Sequence, residues 1–319
     1  MTQSTAAQLL PGGLDVTGCH EVDRRSSVTA GRSYGGDVID LHTHSARSDG
    51  TDAPAELVAQ AAEAGLSTIA LTDHDTTVGW AEAAAAAQRH GITLVRGAEL
   101  STRHNRRSVH LLAYLFDPDE AQLAEEMRRT REDRVPRLQR IVEHMAAEGF
   151  PVTWEDVLAQ VPEGPVSLGR PHLADALVAK GLAHDRSEVF ARWLHNGSAF
   201  YEPHYATATV DAVRLVRAAG GVPVLAHPFA VRRQRAVDGD DVAMLAEAGL
   251  VGIEADHRDL DDTGRGLARD LAAALDLVVT GSSDFHGDGK TNRLGENTTS
   301  PESLARIEAI ASGATPLLR

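Results

Sequence analysis

From Val38 onward, short apolar runs alternate with longer stretches of helical period. VIDLH, STIALTDHD, ITLVRGAEL, SVHLLAYLF, GVPVLAHP, LVGIEADH and LVVTGSSDFH read as strands. APAELVAQAAEAG and WAEAAAAAQRHG read as helices, the first with Pro54 in its opening turn and Gly65 at its end, the second stopped by Gly91. DDVAMLAEAG and GRGLARDLAAAL continue the helical pattern later in the chain. Such alternation predicts an α/β fold, a parallel sheet under helical cover. The sheet is expected to close, or nearly close, into a barrel, because its informative polar residues fall at the C-terminal ends of several strands. Between about Asp117 and His204 the alternation stops. Glu120–Glu148, Thr153–Gln160, Pro171–Lys180 and Ser187–His195 all read as helices. The expected organisation is therefore a barrel over 37–116 and 205–319 with a helical insertion over 117–204. Residues 1–36 are rich in small polar residues without a sustained period, and are expected to form a disordered tail.

Composition narrows the function. A 42% hydrophobic content supports a sizeable core, and a formal charge of −15 repels nucleic acid at long range. An anionic substrate would then need a locally positive site, which metal ions can supply. The single cysteine, Cys19, excludes an internal disulfide and fits a reducing cytoplasm. No apolar run is long enough to span a membrane, and the N-terminus lacks the pattern of a signal peptide.

The candidate chemistry is histidine and carboxylate. In DLHTHSARSDG, His42 and His44 are two apart on a strand and so share a face, with Asp49 in the loop beyond. Two imidazoles converging from rigid backbone suit a divalent metal. TDHD adds Asp73 and His74, RGAEL adds Glu99, SVHLLAY adds His110, LAHP adds His227, and SSDFH adds Asp284 and His286. Each lies in an otherwise apolar strand, where an unpartnered polar group is costly to bury. Six histidines with the carboxylates of Asp49, Glu99 and Asp284 are too many ligands for one ion and suit two or three. Glu99 can bridge two of them. Mixed imidazole and carboxylate donors suit Mn, Fe or Zn. Such a cluster acidifies a water and clamps a phosphoryl centre, which means hydrolysis without a covalent enzyme intermediate. No serine elbow, P-loop or dinucleotide fingerprint competes with it.

The combination HxH…D, TDH, E, H, HP and DxH resembles the PHP (polymerase and histidinol phosphatase) family of metal-dependent phosphoesterases, from Asp37 to about residue 310. The resemblance implies a distorted (β/α)7 barrel with a trinuclear site. It implies His42, His44, Glu99 and Asp284 around one metal, Glu99, His110 and His227 around a second, and Asp49, His74 and His286 around a third. Asp49 stands where some relatives have histidine. GRPHLADALVAKG and LGENTT, with the insertion, look most like the branch that removes the 3′-phosphate from nucleoside 3′,5′-bisphosphates or digests short 5′-phosphorylated RNA. The expected cofactor is Mn²⁺, with Fe²⁺ or Zn²⁺ as alternatives, and the expected partner is a small anionic nucleotide. A phosphatase for another small monoester, such as histidinol phosphate or AMP, is the competing enzyme reading. A metal-bearing scaffold is the non-enzyme one, and the complete ligand set argues against it.

Further residues bear on the substrate. Asp73 and His286 stand as the candidate catalytic residues, Asp73 because it lies beside His74 and can orient a ligand or a water. Arg170 and His172 open a helix after Gly169, where a guanidinium fork and a helix N-terminus both favour phosphate. With His204, at the return to the barrel, they are the candidate substrate-binding residues. Arg232, Arg233 and Arg235 are a candidate basic rim. Arg128, Arg129, Arg131, Arg134, Arg137 and Arg140 interleave with Glu125, Glu126, Glu132 and Asp133, and read as a solvated, ion-paired helix face. His257 reads as a support behind the site. Aromatic content of 4% offers no long stacking platform, which favours mononucleotides or very short oligonucleotides.

Overall fold

The computed structural model describes residues 37–231 and 236–314. The expectations for the 1–36 tail, Cys19 included, and for the rim of Arg232, Arg233 and Arg235 fall outside those residues. Seven strands make the main sheet: β1 (Ile39–Thr43), β2 (Thr68–Leu71), β3 (Thr93–His104), β4 (Arg107–Tyr114), β6 (Val222–Leu225), β7 (Gly252–Asp256) and β8 (Val278–Gly281), hydrogen-bonded in that order. A two-residue strand, β5 (Thr207–Ala208), pairs with β3. The edges approach each other where the His44 amide donates to the Phe285 carbonyl at 2.9 Å beside a Thr43–Phe285 bridge. The fold is thus a distorted, nearly closed seven-stranded β/α barrel.

One strand runs against the expected all-parallel order. β4 is antiparallel to both β3 and β6. The cause is the two-residue turn Asn105–Arg106, where both residues have positive φ (46° and 67°), the signature of a tight hairpin whose twist matches its strands. As a result β3 extends well past Glu99, and the start of β4, not its end, lies at the rim. Ser101 is opposite His110 in this ladder.

The two faces of the sheet have separate packing partners. Leu94, Ala98, Leu100, Leu111 and Ala113 face outward into a large cluster with α1 (Pro54–Glu63), α2 (Trp80–His90), α7 (Thr209–Ala218), α8 (Gly239–Glu247) and α9 (Asp262–Leu275). Val95, Leu112, Tyr114 and Val224 form a second cluster with Leu304 and Ile307 of α10 (Pro301–Ile310). Strand alternation puts Glu99 on the face of Val95, and His110 on that of Leu112 and Tyr114. The polar cluster therefore sits on this inner apolar floor.

Between β4 and β5 lie α3 (Ala121–Ala147), α4 (Trp154–Leu158), α5 (Arg170–Ala179), α6 (Arg186–Val189) and a π turn at Phe190–Leu194. Leu138, Ile141, Met145, Leu173, Leu177 and Phe200 form a core of their own. Leu123 and Met127, in the first half of α3, pack instead on the barrel. α3 is thus shared by both cores, with Pro136 between its two halves. No described helix is long and apolar enough to cross a membrane.

Candidate metal centre

β1 delivers its two histidines as their spacing predicts. The Nε2 atoms of His42 and His44 come within 3.0 Å of each other, with both rings fully buried. Glu99 faces this pair with one oxygen: Oε2 lies 3.3 Å from His42 Nε2, 3.2 Å from His44 Nε2 and 3.3 Å from His74 Nδ1. Its other oxygen, Oε1, contacts His110 Nδ1 and lies 3.2 Å from His227 Nε2. A carboxylate placed between two groups of imidazoles in this way can bridge two ions. Asp284 Oδ1 lies 3.5 Å from the Nε2 atoms of both His42 and His44. Asp49 Oδ1 lies 3.3 Å from His286 Nε2 and 3.5 Å from His44 Nδ1, while its Oδ2 is 3.6 Å from His74 Nε2. All nine residues expected to carry metals are therefore brought together.

These groups fit divalent cations. Among them, His42, His44 and Asp284 converge to within 4.8 Å, as do Glu99, His110 and His227, and also His44, Asp49 and His286. His74 groups with His44 and Glu99 as well as facing Asp49. The His74 Nδ1 atom is buried with no hydrogen-bond partner, an orphan that a cation would satisfy. Two candidate ligands also carry backbone strain, His227 at φ 29° and Asp284 at φ 52°. Such left-handed non-glycine residues persist where the surroundings over-determine them, typically at functional sites.

Charge balance points the same way. Burial pushes Asp49, Glu99 and Asp284 up, but the surrounding histidines, joined at Asp284 by Lys290, hold all three well below the usual carboxylate range. Burial alone would lower His42 and His44. Glu99, Glu254 and Asp284 overcome it and raise His42 well above its ordinary value, and the carboxylates around His44 raise that ring to about 9. Burial depresses His74 and His286. Without a cation, the carboxylates are balanced by protons on His42 and His44.

Glu254, on β7, was not singled out from the sequence. Its Oε1 accepts from His42 Nδ1 at 3.2 Å and from the Ser282 hydroxyl, and its Oε2 accepts from the His227 amide at 2.9 Å. It fixes the His42 ring with Nε2 pointing inward. The signal was an acid flanked by Ile253 and Ala255 in the strand GIEAD, overshadowed by neighbouring His257. His257 lies 3.4 Å from Asp284 Oδ2, behind the cluster. Lys290 reaches the same oxygen at 2.7 Å.

Asp73 and His172 have defined structural partners, and the α3 arginines depart from the expected single face. Both oxygens of Asp73 are engaged by the loop after β1, accepting from Ser45 N at 2.8 Å, Ser45 Oγ at 2.6 Å and Ser48 Oγ at 2.7 Å. It shapes the loop that carries Asp49. His172 is buried, and its Nδ1 accepts from the Gly169 amide at 3.2 Å, capping α5. The arginines of α3 do not form one solvated face. Arg128 and Arg129 are 47% exposed and paired with Glu125, Glu126 and Glu132, as expected. Arg134 and Arg137, on the opposite side of the helix, turn inward.

Arg134 donates to Asp75 Oδ2 at 2.6 Å and to the Ser101 hydroxyl, next to His74 and His110 in sequence and register respectively. Arg137 is only 7% exposed, and its Nε donates to the Glu202 carbonyl at 2.6 Å. Arg103 donates to the His204 carbonyl at 2.7 Å. Among the described residues, neither Arg137 nor Arg103 has a carboxylate partner within 4.0 Å. Arg170 donates to the Leu194 carbonyl at 2.6 Å and to Asn196 Oδ1 at 3.0 Å. Burial, then Arg170 and Arg134, push Arg137 down to about 9. Burial, then Arg134 and Arg137, push His204 down to about 3. The result is a basic cluster at the junction of barrel and helices.

Comparison with known proteins agrees with this geometry. The PHP domain matches residues 40–150. The chain is 35% identical to a 3′,5′-nucleoside bisphosphate phosphatase of Chromobacterium violaceum, over 80% of this chain and 89% of that one. It is 32% identical to a 5′-3′ exoribonuclease of Haemophilus influenzae, over 84% and 97%. A solved structure described as a metal-dependent phosphoesterase of Bifidobacterium adolescentis superposes with a TM-score of 0.84 at 40% identity, covering 87% of this chain and 98% of its own.

Proposed function

The chain belongs to the PHP domain family of metal-dependent phosphoesterases, and on that premise we propose that it removes the 3′-phosphate from nucleoside 3′,5′-bisphosphates in the cytoplasm. Short 5′-phosphorylated oligoribonucleotides are substrates of the same site. The reading is carried by Arg137, the buried member of this basic cluster. A buried guanidinium without a carboxylate partner is costly unless an anion meets it. A substrate with one phosphate at the metals has no use for that cluster, whereas a bisphosphate fills both places.

His42, His44, Glu99 and Asp284 would hold one ion, Glu99, His110 and His227 a second, and Asp49, His74 and His286, with His44 beside them, a third. Manganese suits this mixture of imidazole and carboxylate donors. Bound ions supply Lewis acidity, acidifying water and neutralising charge on phosphoryl oxygens. The protein's own groups do the rest. Glu254 holds a proton on the outward nitrogen of His42, Nδ1, so that Nε2 is the nitrogen that would face an ion. Arg137 and Arg103 orient the second phosphate, with Arg170 fixed at its side. His204, held neutral with its one ring proton on Nδ1 toward the Tyr205 carbonyl, adds no competing charge. The helical segment 117–204 acts as a cap that carries part of this second phosphate site. The formal charge of −15 repels a long polyanion, so no stable complex with long nucleic acid is expected.

The test is phosphate release by protein reconstituted with Mn²⁺, on adenosine 3′,5′-bisphosphate, AMP, a short 5′-phosphorylated RNA and histidinol phosphate. The bisphosphate should be preferred. Arg137→Ala should cut kcat/KM for it by about 10- to 100-fold, the worth of one or two charge-assisted hydrogen bonds, while leaving turnover of AMP within about twofold. Preference for histidinol phosphate, or an equal loss on AMP, would remove the second-phosphate reading and leave the metal chemistry in place.

A further inference from the structure

The loop that carries Asp49 is gripped from outside the barrel. Arg186, the first residue of α6, donates through Nε and Nη2 to the two oxygens of Asp175 on α5, at 2.5 and 2.6 Å. Its remaining Nη1 donates to the main-chain carbonyl of Asp49 at 2.7 Å. The Arg186 side chain is 12% exposed. It occupies space left by Gly289, where a Cβ would lie 2.2 Å from Nη1. A second link runs through Arg47, whose carbonyl accepts from Ser167 N at 2.9 Å and whose Nη1 donates to the Glu163 carbonyl at 3.0 Å. Glu163, Ser167, Asp175 and Arg186 all belong to the helical segment between β4 and β5.

The chemistry explains the choice of residue. A guanidinium is a planar fork, so two parallel bonds to Asp175 fix its plane and aim the third group. A lysine ammonium is a point charge that cannot hold both partners in one plane. Asp49 is thus tied by its backbone to the helices, while its carboxylate faces His44, His74 and His286. Asp73 braces the same loop from the barrel side.

We propose that Arg186, aligned by Asp175, is a positioning residue for the Asp49 ion site, and that through the Asp49 carbonyl this site is coupled to the seating of the helical segment. The inference rests on reading Asp49, His74 and His286 as ligands. By linkage, whatever seats the helices tightens this ion, and the ion in turn favours the seated helices.

The experiment is a Mn²⁺ titration of metal-stripped full-length protein, followed by calorimetry and by the electron paramagnetic resonance signal of free Mn²⁺. Wild type is compared with Asp49→Ala, Arg186→Lys and Asp175→Asn. Arg186→Lys keeps the charge, and Asp175→Asn keeps the arginine but frees its plane. Both should hold two ions as tightly as wild type and bind the third about 10- to 100-fold more weakly, the usual effect of removing a group that orients a ligand. Asp49→Ala should lose that ion outright. If Asp49→Ala loses no ion, the ligand reading falls and the inference with it. If Asp49→Ala loses one while both other variants bind three ions with wild-type affinities, the inference alone is overturned. A uniform weakening of all three ions also overturns it, because that is general destabilisation.

Discussion

Glu254 shows how much one buried carboxylate can set. It accepts from the ring of His42, the backbone of His227 and the hydroxyl of Ser282, and so links β1 and the loops after β6 and β8 through β7. Replacing it with glutamine keeps the volume but presents a donor where only acceptors serve. His42 then loses the partner that fixes its tautomer. Glu254→Gln should weaken metal binding about 10- to 100-fold in a calorimetric titration. Wild-type affinity would show that the His42 ring is set by packing alone. The ligand residues themselves were legible because each interrupts an apolar strand, where polarity demands a reason. Glu254 interrupts one too, but nothing in the sequence says that it faces His42 and His227, which are 212 and 27 residues away. The partners of Asp73 were hidden for a related reason: adjacency to His74 in the chain does not reveal that its oxygens accept from Ser45 and Ser48.

At the scale of elements, the strands and most helices follow from period and end signals, but their directions do not. SVHLLAY gives a strand in either orientation. What decides is the Asn105–Arg106 turn, whose second residue lacks the glycine that marks such a turn most clearly. Reversal of β4 is what brings His110, near its start, to the rim that the other strands reach with their ends. Left-handed backbone costs a non-glycine residue about 1–2 kcal/mol, and glycine returns about 0.5–1 kcal/mol of that in unfolded-chain entropy. Arg106→Gly should therefore stabilise the protein by about 0.5–1 kcal/mol in urea denaturation, without changing the number of ions bound. A loss of stability would mean that the Arg106 side chain makes contacts worth more than the strain. α3 was equally half legible. Its length and ion pairs are in the sequence, but not the split between a solvated face at Arg128 and Arg129 and an inward face at Arg134 and Arg137. That split depends on the barrel lying beneath one side of the helix.

For the whole molecule, the cluster couples metal binding to stability through pH. The folded protein raises His44 to about 9 from an ordinary 6.5, and raises His42 well above that same value. A base whose folded value is raised stabilises fully below its unfolded value, and that contribution drains away as pH climbs to the folded value. The other shifted groups of the centre act elsewhere. Asp49, Glu99 and Asp284 are depressed carboxylates whose contribution is lost only in acid, and the depressed His74 and His286 are neutral in both states above about 6.5. Asp40, which burial lifts to about 6, changes between 3.8 and that value. Metal-free protein should therefore lose stability between pH 6.5 and 9, as the proton leaves His44 amid uncompensated carboxylates, with the raised His42 acting in the same direction. Ligand nitrogens must shed those protons to bind a cation, so loaded protein has no such loss and gains affinity over the same range. The Tm difference between Mn²⁺-loaded and stripped protein should widen steadily from pH 6.5 to 9, and binding near neutral pH should release protons, seen as a dependence of calorimetric heat on the buffer's ionisation enthalpy. A difference that stays flat across that window, with no proton release, would show that His42 and His44 are already neutral without metal, and that something other than protons balances the three carboxylates.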